Sequence, residues 1–176
     1  QTIVRTFLEV FPNADAVLLR FNADTPVLGL VGSTGPLTFD PAAYTRRLGN
    51  TGLREALRPL GLTDPLAFLG LWFAGPDWLR NLAGDAPLNT DDAPVVLFRA
   101  PRTLAGLPPP GHSLLAQLLE RPRSAGSARF AASGVDADWL ARLDAYERAR
   151  DRYLSGLIAE TQGDTAQAEA AFLESV

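Results

Sequence analysis

The sequence predicts an α/β chain in which short antiparallel strands and short helices lead into a C-terminal helical repeat segment. Three observations carry this. Two apolar runs, "ADAVLLRF" and "PVLGLVGS", are separated only by the polar "NADT", a link too short to join anything but antiparallel neighbours. Helical periodicity precedes them in "QTIVRTFLEVF", where Ile3, Val4, Phe7, Leu8 and Phe11 recur on one face. From "VDADWLARL" onward the chain is helical again, with Asp136 or Asp138 as caps and Trp139, Leu140, Leu143 and Tyr146 on one stripe.

Composition bounds the reading. The chain has 176 residues, 47% hydrophobic and 20% charged, enough to bury a core with one domain and an appendage. A mean hydropathy of +0.03 is too high for a disordered chain. The net charge of -4 argues against a nucleic-acid partner, which selects a basic face. Every cation is Arg and none is Lys, a coding bias with little functional content. With no Cys, disulfides, thiolate catalysis and zinc-thiolate sites are excluded, and the single His112 cannot build a two-His metal site.

The elements follow in order. Pro12 and Asn13 stop the first helix. Both strand-like runs are nearly continuously apolar, as in strands covered on both faces. "PAAYTRRL" and "LREALRPLG" read as helices, the second with Leu53, Ala56, Leu57 and Leu60 on one side. "TDPLAFLGLWFAG" carries a helix start, Asp64 as cap and Pro65 at the first position. A further helix, "GPDWLRNLAG", ends at Gly84. The aromatics Trp72, Phe73 and Trp78 are assigned to short helices and to the core. "LNTDDAPVVLFRAPR" then places an acidic turn before "PVVLFR", which reads as a strand. The most apolar stretch, "LAFLGLWFAG", is too short for the roughly 20 residues a membrane span needs, so no membrane segment is expected in this chain.

Residues 1–102 resemble the C-terminal half of a spermidine synthase-like domain, the polyamine aminopropyltransferase relatives with the class I methyltransferase fold. The resemblance rests on "TFLEVFPNADAVLLRF", "TPVLGLVGSTGPLTFD" and "GDAPLNTDDAPVVLFRAPR". It implies part of a larger sheet whose first strands hold S-adenosylmethionine or its decarboxylated form. The glycine-rich cradle and acidic loop for that chemistry cannot be placed on these residues, so no cofactor is expected within this chain. Residues 103–134 read as a Pro/Gly/Ser-rich linker containing one short helix, "HSLLAQLLE". Residues 135–176 resemble a truncated tetratricopeptide repeat: Gly156, Gly163, Ala168 and Phe172 fit its small and aromatic positions. Arg152, Ser155 and Ala159 stand where Trp, Leu and Tyr are usual. Such repeats imply a protein partner, or self-association through the helical segment. Because no Met is present and the first helix is already under way at Gln1, the chain is expected to be a piece of a longer protein.

Candidate site residues are few. Asp91 and Asp92 could attract a polyamine from the end of a strand, although adjacent extended residues face opposite ways and only one could reach a given ligand. Against that stands a turn in which Asn89, Thr90 and Asp91 satisfy backbone amides ahead of Pro94; the turn reading is favoured. "GLVGSTG" (Gly29, Gly32, Gly35) does not open a helix, so a strand end with close backbone approach is favoured over a phosphate loop. His112 has no partner for a triad. "ERARDR", residues 147–152, reads as a solvated helix face. The parent is therefore expected to be a transferase using an S-adenosyl cofactor in aminopropyl or methyl transfer, with these residues inactive alone. The alternative is a non-catalytic interaction module, a degenerate methyltransferase-like scaffold carrying helical repeats.

Overall fold

A computed structural model describes residues 1–35, 37–105, 111–121, 129–130 and 134–176. It is a mixture of helix and sheet. Among the described residues no helix is long and apolar enough to cross a membrane. The chain divides into two compact units, Gln1–Leu37 with Ala74–Arg121, and Thr38–Phe73 with Pro122–Val176.

In the first unit, α1 (Thr2–Val10) leads through the Pro12–Asn13 turn into β1 (Asp15–Arg20) and β2 (Val27–Val31). The hairpin is antiparallel, with Val17 opposite Gly29 and Asp15 opposite Val31, and an irregularity between Leu18 and Arg20. The expected polar turn is built by Asn22, whose side-chain oxygen accepts from the amides of Asp24 at 2.8 Å and Thr25 at 2.9 Å. A short strand, β3 (Trp72–Ala74), lies where the chain passes from the second unit into the first, and the strand order is β2-β1-β3.

Ala16 and Leu18 point to one face of β1 and are fully buried, together with Leu79 of α5 (Pro76–Ala83). The opposite face keeps Leu19, Val27 and Val31 exposed, so the hairpin is covered on one side only, unlike the two-sided burial its composition suggests. Two arginines tie α1 to α5: Arg5 donates to the Gly84 carbonyl at 2.9 Å, and Arg80 to that of Pro12 at 3.0 Å. Helix α7 (Gly111–Leu119) buries Leu115 and Leu118. It begins so close to the hairpin turn that a Cβ on Gly111 would lie 1.7 Å from the Asp24 carbonyl oxygen.

One assignment from sequence is corrected here. "PVVLFR" is not a strand; it begins α6 (Val95–Ala105). Periodicity cannot separate helix from strand over so few apolar residues, and local hydrogen bonds decide. The Asn89 side chain accepts from the Val96 amide at 2.8 Å, which satisfies a first-turn donor of a helix that a strand would instead offer to a neighbour.

In the second unit, α2 (Pro41–Arg47), α3 (Thr51–Leu57) and α4 (Pro65–Leu69) start on Asp40, Asn50 and Asp64. The Asp64 cap accepts from Leu66 at 2.6 Å and Ala67 at 3.3 Å, as its Asp-Pro signature predicts. The apolar side read along residues 53–60 finds little cover, with Leu53 and Leu60 exposed. Trp72 and Phe73 are buried as expected, but in β3 and not in a helix. After α4 ends at Gly70, the β-favouring Trp–Phe pair is extended.

The long α8 (Ala137–Thr161) is capped by Asp136, which accepts from the Trp139 amide at 2.7 Å. Its Leu143 joins Leu69, Trp72 and Phe130 in the core of this unit, with Phe39, Leu66, Trp139 and Leu140 packed around them. Gly163, at φ 79, turns the chain into α9 (Thr165–Leu173), which folds back on α8. Of the expected linker at 103–134, residues 106–110, 122–128 and 131–133 lie outside the described residues, and the rest includes the end of α6 and all of α7.

Candidate functional site

Two places gather polar chemistry, one in each unit. In the first unit the acidic turn sits on α1. The Asn89 amide donates to Thr6 Oγ1 at 2.9 Å, and Thr6 in turn donates to the Thr2 carbonyl at 2.8 Å. Thr90 Oγ1 accepts from the Ala93 amide at 3.1 Å, and the two residues also exchange backbone bonds of 3.2 Å. The turn is thus made by Asn89 and Thr90. Asp91 and Asp92 are exposed, and neither carboxylate has a hydrogen-bond or ion-pair partner among the described residues.

Beside this turn runs a groove of about 360 Å³ between α1 and the start of α6, walled by Ile3, Phe7, Val10, Phe11 and Val96. Its polar side chains, Thr6 and Asn89, have oxygens already engaged by the backbone. What remains is an apolar trough with no base or nucleophile poised in it. Leu97 and Phe98 on α6 lie 68% and 67% exposed.

The glycine-rich "GLVGSTG" is a strand end with close approach, not a cradle. A Cβ on Gly29 would meet Leu19 at 2.9 Å, and one on Gly32 would meet Phe11 at 2.5 Å. The space a phosphate would need beside Gly32 is filled by an aromatic ring. His112 sits at the start of α7. Among the described residues no group of three His, Asp or Glu side chains could hold a metal ion.

The second place corrects the reading of residues 147–152 as a solvated face. Glu147, Arg150 and Asp151 are buried on α8. Arg150 bonds the Asp151 carboxylate at 2.9 and 3.1 Å and donates to the carbonyl oxygens of Gly70 at 2.7 Å and Trp72 at 2.5 Å. Its guanidinium also lies 5.6 Å from the centre of the Phe73 ring. A signal for this existed: 143, 147, 150 and 154 follow the helical repeat, so Glu147 and Arg150 share the stripe of buried Leu143 and Leu154. The fork closes the end of α4 and fixes the entry to β3, a structural task.

Two titratable groups nearby depart from their ordinary values. Tyr44 is raised above 10.0, chiefly by burial and then by the Asp64 charge, while its hydroxyl donates to the Leu62 carbonyl at 2.6 Å. Asp40 is lowered below 3.8, chiefly because its carboxylate accepts from the Ala43 amide at the start of α2. Both serve local structure and face no cavity described above.

Comparison of the chain with protein families, with characterised proteins and with solved structures finds no match in any of the three.

Proposed function

We propose that these residues are the C-terminal part of a spermidine synthase-like transferase that works through an S-adenosyl cofactor, in aminopropyl or methyl transfer. The observation that carries this reading is the acidic turn. Asn89 and Thr90 absorb the local hydrogen bonding and leave the Asp91 and Asp92 carboxylates exposed, with no partner among the described residues. Two uncompensated negative charges at a chain reversal suit a cationic amine. The helix–hairpin order of α1, β1 and β2 in one compact unit is also compatible with the edge of a larger sheet. The helix α6, where the resemblance implies a last strand, is its main departure.

The described residues do not themselves fit an S-adenosyl group. The glycine turn is occupied by Phe11, and the side-chain oxygens in the groove, Thr6 Oγ1 and Asn89 Oδ1, are already engaged by the backbone. In this proposal the cofactor belongs to another part of the protein, and the acidic turn contributes only a contact to the amine. The helical pair α8–α9 would supply a surface for a protein partner.

The test is calorimetric titration of S-adenosylmethionine and its decarboxylated form into the product of the whole reading frame that contains these residues, with the 176-residue chain as control. Binding by the former and not by the control is expected. If the whole product binds neither ligand, the transferase reading is lost.

A second reading, a non-catalytic interaction module, is favoured by the apolar trough beside α1 and by exposed Leu97 and Phe98. It predicts silence in the same titration.

A further inference from the structure

The outer edge of the sheet carries an unusual sequence. Strand β2 reads Val27-Leu28-Gly29-Leu30-Val31, the same in both directions. It is the edge strand in the order β2-β1-β3, and among the described residues no segment bonds to its far side. Natural edges are usually blunted with a charge, a proline or an inward-pointing lysine. None stands within β2, where Pro26 only precedes the strand, and its apolar composition is that of a strand covered on both faces.

From this we infer that β2 pairs with β2 of a second copy, antiparallel about a twofold axis through Gly29. A twofold interface must be self-complementary, so that what residue i offers to residue j is returned by the other copy. The palindrome meets that condition: Val27 faces Val31 of the second copy, Leu28 faces Leu30, and Gly29 faces itself. Each pair is apolar, and close cross-strand apolar pairs stabilise a sheet.

The flanks agree. In the same register Asp24, the nearest charged residue before the strand, falls opposite Thr34 of the second copy, so no like charges meet. The exposure pattern agrees too. Val27, Gly29 and Val31 share the face that also carries Leu19, and Val27 and Val31 remain 42% and 45% exposed in the single chain. Pairing would form two Val27–Val31 contacts on that face, one on each side of the axis. The edge groups demand an extended strand as occupant, and the sequence symmetry selects a second copy over an unrelated peptide.

The test exploits the register. Light scattering on the separated protein, across a dilution series, is expected to give a species of twice the 18.9 kDa chain mass. The variant carrying both Val27→Lys and Val31→Lys sets like charges opposite each other twice and is expected to be monomeric, with an unchanged circular dichroism spectrum. The variant Val27→Lys with Val31→Glu sets opposite charges across both pairs and is expected to restore the dimer. Both positions are exposed in the single chain, so folding should survive either change. A monomeric parent chain overturns the inference and leaves the edge to a strand from elsewhere. A dimer that ignores both variants, or one lost equally in both, overturns it as well, since the first means another interface and the second another register.

Discussion

Arg150 and Gly70 are eighty positions apart, yet the guanidinium of one donates to the carbonyl of the other at 2.7 Å and to that of Trp72 at 2.5 Å. Gly70 ends α4, where carbonyls lack helical partners. One planar side chain therefore satisfies two carbonyls of a buried chain reversal, and its charge is balanced by Asp151 alongside. Replacing Arg150 with Leu should destabilise the second unit by about 3–5 kcal/mol, because the two carbonyls lose their donor and the buried Asp151 loses the neighbouring positive charge. Arg150→Lys should recover little, since an ammonium cannot reproduce the fork. Urea unfolding followed by tryptophan fluorescence checks both; a Lys variant as stable as the parent would show that charge alone matters.

The same residues show where the sequence was legible and where it was not. Caps at Asp64 and Asp136, the Asn22 turn and the antiparallel hairpin all follow from short-range chemistry: a side-chain oxygen reaches an amide two or three residues on. Arg150 fails that logic, because its two carbonyl acceptors lie at the end of α4 and in β3, some eighty positions away, where no local pattern connects them to it. Leu143 and Leu154 marked the stripe, but a charge on an apolar stripe is read as solvated unless its distant acceptors are known. "PVVLFR" failed differently: the deciding bond, Asn89 to the Val96 amide, was local but could be recognised only once the run was taken as a helix. Of the candidate site, the turn chemistry of Asn89 and Thr90 was legible, and the groove beside it was not, since it arises from α6 being helical.

Gly156 is where α8 lets α9 approach. A Cβ there would lie 2.5 Å from the Phe172 ring, closer than packed carbons tolerate. Alanine adds intrinsic helix stability of up to about 1 kcal/mol over glycine, but overpacking typically costs about 1–3 kcal/mol. Gly156→Ala should therefore be destabilising on balance, and adding Phe172→Leu should recover part of the loss. Thermal unfolding of the single and double variants gives the coupling; strictly additive effects would mean that the ring moves aside freely.

The acidic turn separates structure from recognition. Asn89→Ala removes a first-turn acceptor of α6 and should cost about 1 kcal/mol. Asp91→Asn and Asp92→Asn remove exposed charges without described partners and should change stability by no more than about 0.5 kcal/mol. If the proposed amine contact is correct, spermidine should raise the melting temperature of the whole reading-frame product, and the Asp variants should lose that shift while Asn89→Ala keeps it. A shift that survives both Asp changes would remove the turn from the substrate site.

Two groups give the second unit opposite responses at the ends of the pH scale. Tyr44 is half-buried and donates to Leu62, so the partial loss of water favours its neutral form and raises its pKa. Its contribution is complete below 10.0, the ordinary value, and is lost as pH rises through the higher folded value. Asp40 has a lowered pKa because its carboxylate, accepting from Ala43, is favoured in the fold. That contribution is complete above 3.8 and is lost as pH falls through the lower folded value. Tyr44→Phe should accordingly flatten the alkaline limb of a stability profile and leave the acid limb alone, while Asp40→Asn should do the reverse. Denaturation midpoints measured across the pH range decide it. An alkaline limb unchanged in Tyr44→Phe would place that titration on another group, because no other effect of the substitution depends on pH in that window.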